Sequence, residues 1–249
     1  MATVAYARGL RKVYTGGVIA LDGVDLEVRE GEVVALVGPN GAGKTTTFRI
    51  MVGLLKPTSG RVVIDGVDVT RSPLEARKRV TYVPEEVGGY RQLTGLEHLR
   101  LMITLFMAAR GASKREVEEA LEEAIRISGL TERDLRRRVS GYSKGMKRRL
   151  QVAWALAVHP RLAILDEPTS GLDVVASYKL RLTLREYARR HGVSILFSSH
   201  NMLEVEAIAD RVYLIHRGRV IASGAPREIV EEAGTSNLEE AFVKLAGEA

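Results

Sequence analysis

The stretch GPNGAGKTT, residues 38–46, constrains this chain more than any other. It follows VVALV at 33–37, an uninterrupted apolar run that predicts a parallel strand buried on both faces. It precedes KTTTFRIMVGLL, at 44–55, whose apolar residues recur at helical spacing. A glycine-rich loop between strand and helix turns successive N–H groups toward an anion, assisted by the helix dipole. The sequence therefore predicts an α/β core with a phosphate-binding loop.

This phosphate loop fits the pattern GxxxxGK[ST]. Lys44 is expected to reach the β- and γ-phosphates of a nucleotide, and the Thr45 hydroxyl to ligate Mg²⁺. The alternative is a glycine-rich turn that binds nothing, and the flanking strand and helix argue against it. The predicted nucleotide-binding residues of the loop are Gly38, Pro39, Asn40, Gly41, Ala42, Gly43, Lys44, Thr45 and Thr46.

Two adjacent acids end a second buried strand, LAILD at 162–166. Ligands in open α/β sheets gather at the carboxyl ends of strands, so Asp166 and Glu167 are expected to face the phosphate loop. Asp166 is predicted to hold the Mg²⁺ shell, and Glu167 to act as the general base toward the attacking water. Adjacent acids alone are commonly a solvated edge of a sheet. The phosphate loop favours the catalytic interpretation, and phosphoryl transfer then needs positioning and charge neutralisation without a covalent intermediate.

The remaining patterns predict one domain with an insertion. Residues 2–37 alternate apolar and polar residues in short pieces, which predicts antiparallel strands, and GRVVIDGVDV predicts a hairpin around Asp65 and Gly66. Between about 94 and 158, apolar residues recur at helical spacing. A helix is predicted across 174–191. We predict a single domain over 1–249: a nucleotide-binding core with an antiparallel β subdomain at 1–84 and 159–223, a helical subdomain at 85–158, and a helical tail at 224–249.

Composition limits the class of protein. The longest apolar stretch, LMITLFMAA at 101–109, is shorter than the roughly 20 residues of a membrane-spanning helix. The absence of cysteine excludes disulfides, thiolate metal sites and cysteine nucleophiles. The N-terminus lacks the apolar region of a secretory signal, so a cytoplasmic chain is expected. A net charge of +6 suits nucleic acid, anionic lipid or nucleotide phosphates and does not choose among them.

The order of the motifs resembles that of the nucleotide-binding subunits of ATP-binding cassette (ABC) transporters, over essentially the whole chain. The phosphate loop corresponds to the Walker A motif of that family, and LAILDE at 162–167 to Walker B. SGLD at 170–173 corresponds to the D-loop, His200 to the switch histidine, and YSKGM at 142–146 to the signature LSGGQ. The resemblance implies a P-loop NTPase (RecA-like) fold with an N-terminal antiparallel β subdomain and an inserted α-helical subdomain.

In this family two cassettes dimerise head to tail, and each signature segment closes over the ATP held by the other. The resemblance therefore implies that Ser143, the Gly145 backbone and the start of the next helix contact the γ-phosphate of the partner's ATP. It implies that His200 contacts the γ-phosphate and helps orient water, and that Tyr14 stacks on adenine. The alternatives are an ordinary strand aromatic for Tyr14 and a structural histidine for His200. Asp173 would act at the dimer interface. The second cassette is either an identical copy or a paralogue.

Three positions depart from the family pattern. Lys144 replaces the usual glycine of the signature and Met146 the usual glutamine. The lysine either adds a charge contact to the nucleotide or lies at the surface. Where the family has its Q-loop glutamine, this chain has Glu85, and a carboxylate still ligates Mg²⁺ or its water. The neighbouring Glu86 leaves this assignment open by one position.

The resemblance implies an ATPase (ATP phosphohydrolase) that drives transport through separate transmembrane subunits, from the inner face of the cell membrane. PEEVGGY at 84–90, YSKGM and LEEAFVKLAG at 238–247 resemble the single-cassette subunits of exporters. The membrane subunits are expected to contact the cleft between the helical insertion and the core, near 85–96. The alternative is a soluble ABC ATPase in cofactor assembly, or in nucleic-acid or ribosome-associated work.

Two basic runs could indicate a surface that binds nucleic acid: RRR at 136–138 and KRR at 147–149. No interleaved aromatic platform accompanies them in the sequence, so we predict a solvated or interface face and no nucleic-acid partner. A GTPase switch is disfavoured, because the sequence contains no [NT]KxD base-reading tetrapeptide.

Overall fold

The computed structural model describes residues 2–86 and 88–248. Its strands are β1 (Thr3–Val13), β2 (Ile19–Arg29), β3 (Val33–Val37), β4 (Ser59–Ile64), β5 (Val67–Asp68), β6 (Val80–Val83), β7 (Leu162–Leu165), β8 (Ser194–Ser199), β9 (Arg211–His216) and β10 (Arg219–Gly224). Its helices are α1 (Lys44–Met51), α2 (Pro73–Arg77), α3 (Gly95–Ala108), α4 (Lys114–Ser128), α5 (Glu132–Leu135), α6 (Lys144–Ala157), α7 (Val174–His191), α8 (Met202–Ile208), α9 (Pro226–Ala233) and α10 (Leu238–Glu248).

The strands form two sheets. An antiparallel sheet has the order β2-β1-β4-β5, and a six-stranded sheet has the order β10-β9-β3-β8-β7-β6. In the larger sheet β9, β3, β8, β7 and β6 are parallel, and β10 pairs antiparallel with β9. The register pairs Val37 with Ser199 and Leu165 with Phe197, so β3, β7 and β8 end at the same edge. The segments that follow these three strands are thereby brought together.

The core lies on both faces of the larger sheet. Strand β3 is buried throughout: Val34 and Leu36 pack on one side, with α1 and the antiparallel sheet. Val33, Ala35 and Val37 pack on the other side, with α6 and α7. This arrangement confirms the prediction of a parallel strand buried on both faces.

Local sequence explains several element ends. Thr94 and Ser113 begin α3 and α4 with capping boxes, in which the hydroxyl accepts from the backbone N–H of the third helical residue. The predicted hairpin between β4 and β5 is confirmed. Asp65 and Gly66 turn it with φ of +48° and +77°, the positive pair that a two-residue turn between strands favours.

Helix α7 spans the predicted 174–191, and helices α9 and α10 confirm the helical character of the tail. Helix α1 is shorter than predicted. It ends at Met51, because Gly53 adopts a left-handed φ of +67° just beyond it. The sequence patterns did not predict strands β9 and β10, which form a hairpin. The division into 1–84 with 159–223, 85–158 and 224–249 stays a prediction, and its residues 1, 87 and 249 lie outside the described chain.

Candidate functional site

The phosphate loop connects β3 to α1 in a path that excludes side chains at two glycines. A Cβ on Gly38 would lie 2.1 Å from the carbonyl oxygen of Ile215, and one on Gly43 would lie 2.8 Å from that of Ala20. Gly41 and Gly43 also adopt positive φ, +80° and +111°. Gly43 is the N-cap residue of α1. Because glycine has no side chain, the N-cap residue offers no side-chain acceptor to the first backbone N–H groups of this helix. Such a helix start favours a bound anion.

Lys44 lies along the phosphate loop and is 7% exposed. Its Nζ donates to the carbonyl oxygens of Gly38 at 2.6 Å and Pro39 at 3.1 Å. An ammonium group carries three N–H donors. One donor therefore remains for a phosphate oxygen after the two contacts that hold the side chain in place.

Asp166 joins the ends of three elements through hydrogen bonds. Its Oδ2 accepts from the Thr45 hydroxyl at 2.8 Å, and its Oδ1 accepts from the Ser198 hydroxyl at 2.6 Å. The backbone N–H of Glu167 donates to the same Ser198 oxygen at 2.9 Å. Thr45 and Asp166 thus present a hydroxyl and a carboxylate oxygen side by side, which is the oxygen donor set that Mg²⁺ prefers. Ser198 was missed by sequence reasoning, since a serine within a buried strand carries no motif.

The structure places Glu167 next to His200, and both residues are predicted to act on the attacking water. Glu167 Oε2 lies 2.9 Å from His200 Nδ1. The glutamate is 5% exposed and has a left-handed φ of +51°. Such a backbone costs a non-glycine residue about 1 kcal/mol or more, and active sites are where this strain is commonly retained.

A cavity of about 270 Å³ opens over the phosphate loop. Three carboxylates line it together with Lys44, and their mutual repulsion favours a cation among them. Of the two acids that the sequence left open, Glu85 contributes to the wall and Glu86 is not among its lining residues. The full lining is Ala20, Pro39, Asn40, Gly41, Gly43, Lys44, Thr45, Thr46, Glu85, Asp166 and Glu167.

Tyr14 lies in the turn after β1 and not within a strand. Its hydroxyl is 3.4 Å from the Thr46 hydroxyl, at the end of the phosphate loop. The residue is 39% exposed, so part of the aromatic ring is open to a ligand. The Lys12 ammonium lies 5.3 Å from the ring centroid, and a stacked base would have to share the ring with it or displace it.

The signature segment, residues 142–146, packs elsewhere in the chain. Ser143 caps α6, and its Oγ accepts from the Met146 N–H at 3.2 Å. Lys144 Nζ donates to the Ser170 hydroxyl at 3.2 Å, and a Cβ on Gly145 would meet the Gly171 carbonyl oxygen at 3.0 Å. None of these signature residues belongs to the described lining of the phosphate-loop cavity. A single chain therefore does not bring its own signature to its own phosphate loop.

Asp173, at the end of the D-loop segment, caps α7. Its Oδ1 accepts from the Ala176 N–H at 2.8 Å. Aspartate is among the residues preferred at this position of a helix, so the contact gives Asp173 a structural role within its own chain. Its interface role stays a prediction.

The prediction of a solvated or interface face was wrong for Arg148, which is fully buried. Its guanidinium donates to the carbonyl oxygens of Pro84 at 2.8 Å and Asp166 at 3.2 Å, and also to that of Glu85. Burial lowers the pKa of Arg148, and the carboxylates of Asp166, Glu85 and Glu167 oppose that shift. The burial of Arg148 could have been predicted from helical spacing, because Arg148 precedes the buried Val152 by one helical turn.

Arg148→Met keeps much of the side-chain volume and removes the donors. We expect it to lower the free energy of unfolding by about 3 kcal/mol, because three backbone carbonyls lose a buried donor. Urea unfolding measures the change. Arg149→Met is the matched control, with an expected loss under about 1 kcal/mol, because Arg149 makes one exposed contact to the Gly129 carbonyl oxygen. Equal losses in the two variants would contradict the linking role of Arg148.

Tyr82 on β6 is the second neighbour of Asp166 with a shifted pKa. Burial, with the Asp166 carboxylate as the next cause, raises the pKa of Tyr82 to about 12. The phenol is neutral at physiological pH, as an ordinary tyrosine is, and it adds no negative charge beside Asp166 and Glu167.

Comparisons with known proteins agree with this geometry. The family described as "ABC transporter" matches residues 21–170, more than half of the chain. The lipopolysaccharide export system ATP-binding protein LptB of Acidithiobacillus ferridurans is 35% identical over 236 residues, covering 93% of this chain and 94% of that protein. The ABC transporter ATP-binding protein NatA of Bacillus subtilis is 36% identical over 225 residues, covering 90% of this chain and 89% of that protein.

Comparison with solved structures shows that the similarity includes the fold. An ATP-binding subunit of an ABC transporter superposes with a TM-score of 0.87 and 35% identity, covering 97% of this chain and 99% of that one. The ATP-binding cassette MJ0796, in a dimeric post-hydrolysis state with ADP and Pi, gives a TM-score of 0.80 and 27% identity, covering 89% of this chain and 98% of that one. The predicted family and fold are confirmed. The chain therefore belongs to the ABC transporter family, as an ATP-binding ATPase subunit with the P-loop NTPase fold.

Proposed function

We propose that this chain pairs head to tail with a second cassette, and that the pair hydrolyses MgATP at two composite sites to power export. The observation that carries the proposal is the separation of the two halves of the site. The phosphate loop, Asp166 and Glu167 share one cavity, whereas the signature segment is held on the D-loop segment of the same chain. The dimeric state of the MJ0796 cassette supports such pairing.

Each predicted residue then has a chemical role. Lys44 and the loop N–H groups hold the β- and γ-phosphates, and Thr45, Asp166 and Glu85 hold Mg²⁺ or its water ligands. Mg²⁺, when bound, neutralises charge on the transferred phosphoryl group. Ser143, Lys144 and Gly145 of the partner cap the γ-phosphate at the start of α6, and Tyr14 stacks on adenine.

Glu167 and His200 act on the attacking water. Glu167 accepts a proton from the water as it attacks the γ-phosphate, and the backbone contact to Ser198 fixes the position of its Cα. The bond between the γ-phosphorus and the bridging oxygen breaks, ADP leaves with the bonding electrons, and the proton on Glu167 passes to phosphate or solvent. His200 Nδ1 donates to Glu167 Oε2, which fixes the carboxylate; when protonated, the imidazole also donates from Nε2 toward the γ-phosphate. Asp173 acts at the dimer interface from the N-cap position of α7.

The membrane partner is proposed to be a separate polypeptide, with this chain held at the cytoplasmic face. Within residues 2–86 and 88–248, no helix is both long enough and apolar enough to traverse a bilayer. The relatives named for lipopolysaccharide export support an export role. The transported substrate is a property of the partner.

An exposed apolar groove of about 430 Å³ supplies the docking surface for that partner. It lies between the core and the helical insertion, as the predicted cleft does, but its lining comes from α2, α3 and α6 and not from 85–96. Leu74 and Leu105 are 70% and 56% exposed, and Arg77 and Lys78 add positive charge. An apolar groove with cations at its side fits a short amphipathic helix that carries an acid. The lining is Leu74, Arg77, Lys78, Met102, Leu105, Phe106, Ala109 and Trp154.

Leu105→Glu should reduce co-purification with the membrane subunits by at least about tenfold, because it places a carboxylate in the apolar groove. ATP turnover of the isolated chain should stay unchanged, since Leu105 lies outside the nucleotide cavity. Val243→Glu is the matched control, because Val243 is also an exposed apolar residue and lies on α10. Retention of both variants on the membrane subunits to the same extent would show that the partner binds elsewhere.

A further inference from the structure

A cluster of Glu123, His159 and His191 lies apart from the nucleotide site. One ligand atom of each residue lies within 4.8 Å of those of the other two. Glu123 belongs to α4, His159 follows α6, and His191 is the last residue of α7. Three elements that are distant in sequence therefore converge on one point, where the helical insertion meets the core.

Neighbouring contacts hold the donors in place. The Tyr187 hydroxyl donates to Glu123 Oε1, which leaves Oε2 to accept from His159 Nε2 at 2.9 Å. The His159 backbone adopts a left-handed φ of +45°, a conformation in which histidine is enriched. The His191 ring stacks on Tyr187, with centroids 4.7 Å apart and planes at 22°, and meets the His159 ring edge-on at 4.7 Å. A carboxylate held by a hydroxyl is the kind of outer contact that orients metal-ligating groups.

We propose that this cluster binds a transition-metal ion, and that Zn²⁺ is the ion its chemistry fits best. Two imidazoles and one carboxylate form a nitrogen and oxygen set that Zn²⁺ accepts, whereas Mg²⁺ prefers oxygen ligands alone. The His159 side chain is 39% exposed and that of Glu123 is 18% exposed, so the site is open to solvent on one side. Water can thus complete a tetrahedral shell around the three protein ligands.

Binding requires a neutral His159 imidazole whose Nε2 carries no proton. The hydrogen bond between Glu123 Oε2 and His159 Nε2 gives way to a bond from each atom to the ion, and the Nε2 proton is replaced, through solvent, by one on Nδ1. A tetrahedral zinc site holds ligand atoms roughly 3.3 Å apart, so donors now up to 4.8 Å apart must approach one another. His191 is exposed at the end of α7 and provides most of that movement.

The ion would fasten α4 to α7. Helix α4 lies in the helical insertion, and α7 starts at the D-loop segment that supports the signature. A bridge between these helices opposes their separation during unfolding. The consequence is a gain in stability from zinc that does not require bound nucleotide.

Thermal unfolding of the nucleotide-free chain without an affinity tag, titrated with Zn²⁺, tests the site. Zinc at about 100 times its dissociation constant should raise the Tm by about 5 °C. His191→Ala removes an exposed ligand and should weaken zinc binding at least about 100-fold, and Tyr187→Phe about 10-fold. Glu186→Gln, an exposed acid on the same helix, and Asp166→Asn, in the nucleotide cavity, should both retain the wild-type shift.

Cobalt provides the second measurement, because Co²⁺ in a tetrahedral site absorbs visible light strongly. Wild type and Glu186→Gln should show that absorption, and His191→Ala should not. Equal zinc-dependent Tm shifts in wild type and His191→Ala would overturn the proposal, as would an equal shift with Mg²⁺. A zinc shift that disappears in Asp166→Asn would place the ion in the nucleotide cavity instead.

Discussion

Glu167→Gln should lower ATP turnover by about three orders of magnitude and leave ATP affinity within a few-fold of wild type. The amide has the size of the carboxylate and still accepts a hydrogen bond from His200, so the buried contact survives. It does not accept a proton from water at neutral pH, and the step that activates the nucleophile is lost. The phosphate loop, Lys44 and Asp166 are untouched, which is why binding persists.

Single-turnover phosphate release measures the lost step, and a fluorescent ATP analogue measures affinity. Glu231→Gln, an exposed acid on α9, is the matched control and should behave as wild type. Because the variant binds ATP without consuming it, it should also accumulate as an ATP-dependent dimer in size-exclusion chromatography. Wild-type turnover in Glu167→Gln would show that another group takes the proton.

The parts of the fold that the sequence predicts best are those whose signals are local. The uninterrupted apolar run of β3 and the full length of α7 follow from residue patterns within each segment. The end of α1 does not, because the apolar spacing continues past Met51 and only the conformation of Gly53 stops the helix. Strand β10 lies at the edge of the larger sheet and has no strict alternation to distinguish it from a loop.

In the site, too, the residues of contiguous motifs could be predicted, and residues that act through contacts distant in sequence could not. The phosphate loop and the Asp166–Glu167 pair are contiguous motifs, so their placement at one sheet edge follows from the topology. Arg148 contacts backbone 63 and 64 residues earlier in the chain, and Ser198 contacts Asp166 from a neighbouring strand. No spacing rule connects such partners. Their roles become visible only when packing is known.

Ser143→Arg should abolish turnover while leaving the ATP affinity of the single chain unchanged. A bulky cation at the start of α6 would block the γ-phosphate contact across the dimer, and the variant's own phosphate loop lies in a separate cavity. Losing the cap costs about 1 kcal/mol, too little to unfold the chain. Ser140→Arg, three residues earlier and exposed, is the matched control and should remain active. An equal loss of ATP affinity in the isolated Ser143→Arg chain would contradict the predicted geometry.

Mixing two inactive variants tests reciprocity directly. In a heterodimer of Ser143→Arg and Glu167→Gln, one site combines an intact phosphate loop and Glu167 from the first chain with an intact Ser143 from the second. The other site carries both defects. Random pairing of equal amounts should therefore restore up to about a quarter of wild-type single-turnover hydrolysis. The control mixes wild type with a double variant that has both changes in one chain. Each heterodimer in this mixture has one defect in each site. The activity of the mixture should therefore come from wild-type homodimers alone. If the first mixture stays as inactive as its components in single-turnover measurements, each site is not shared between two chains.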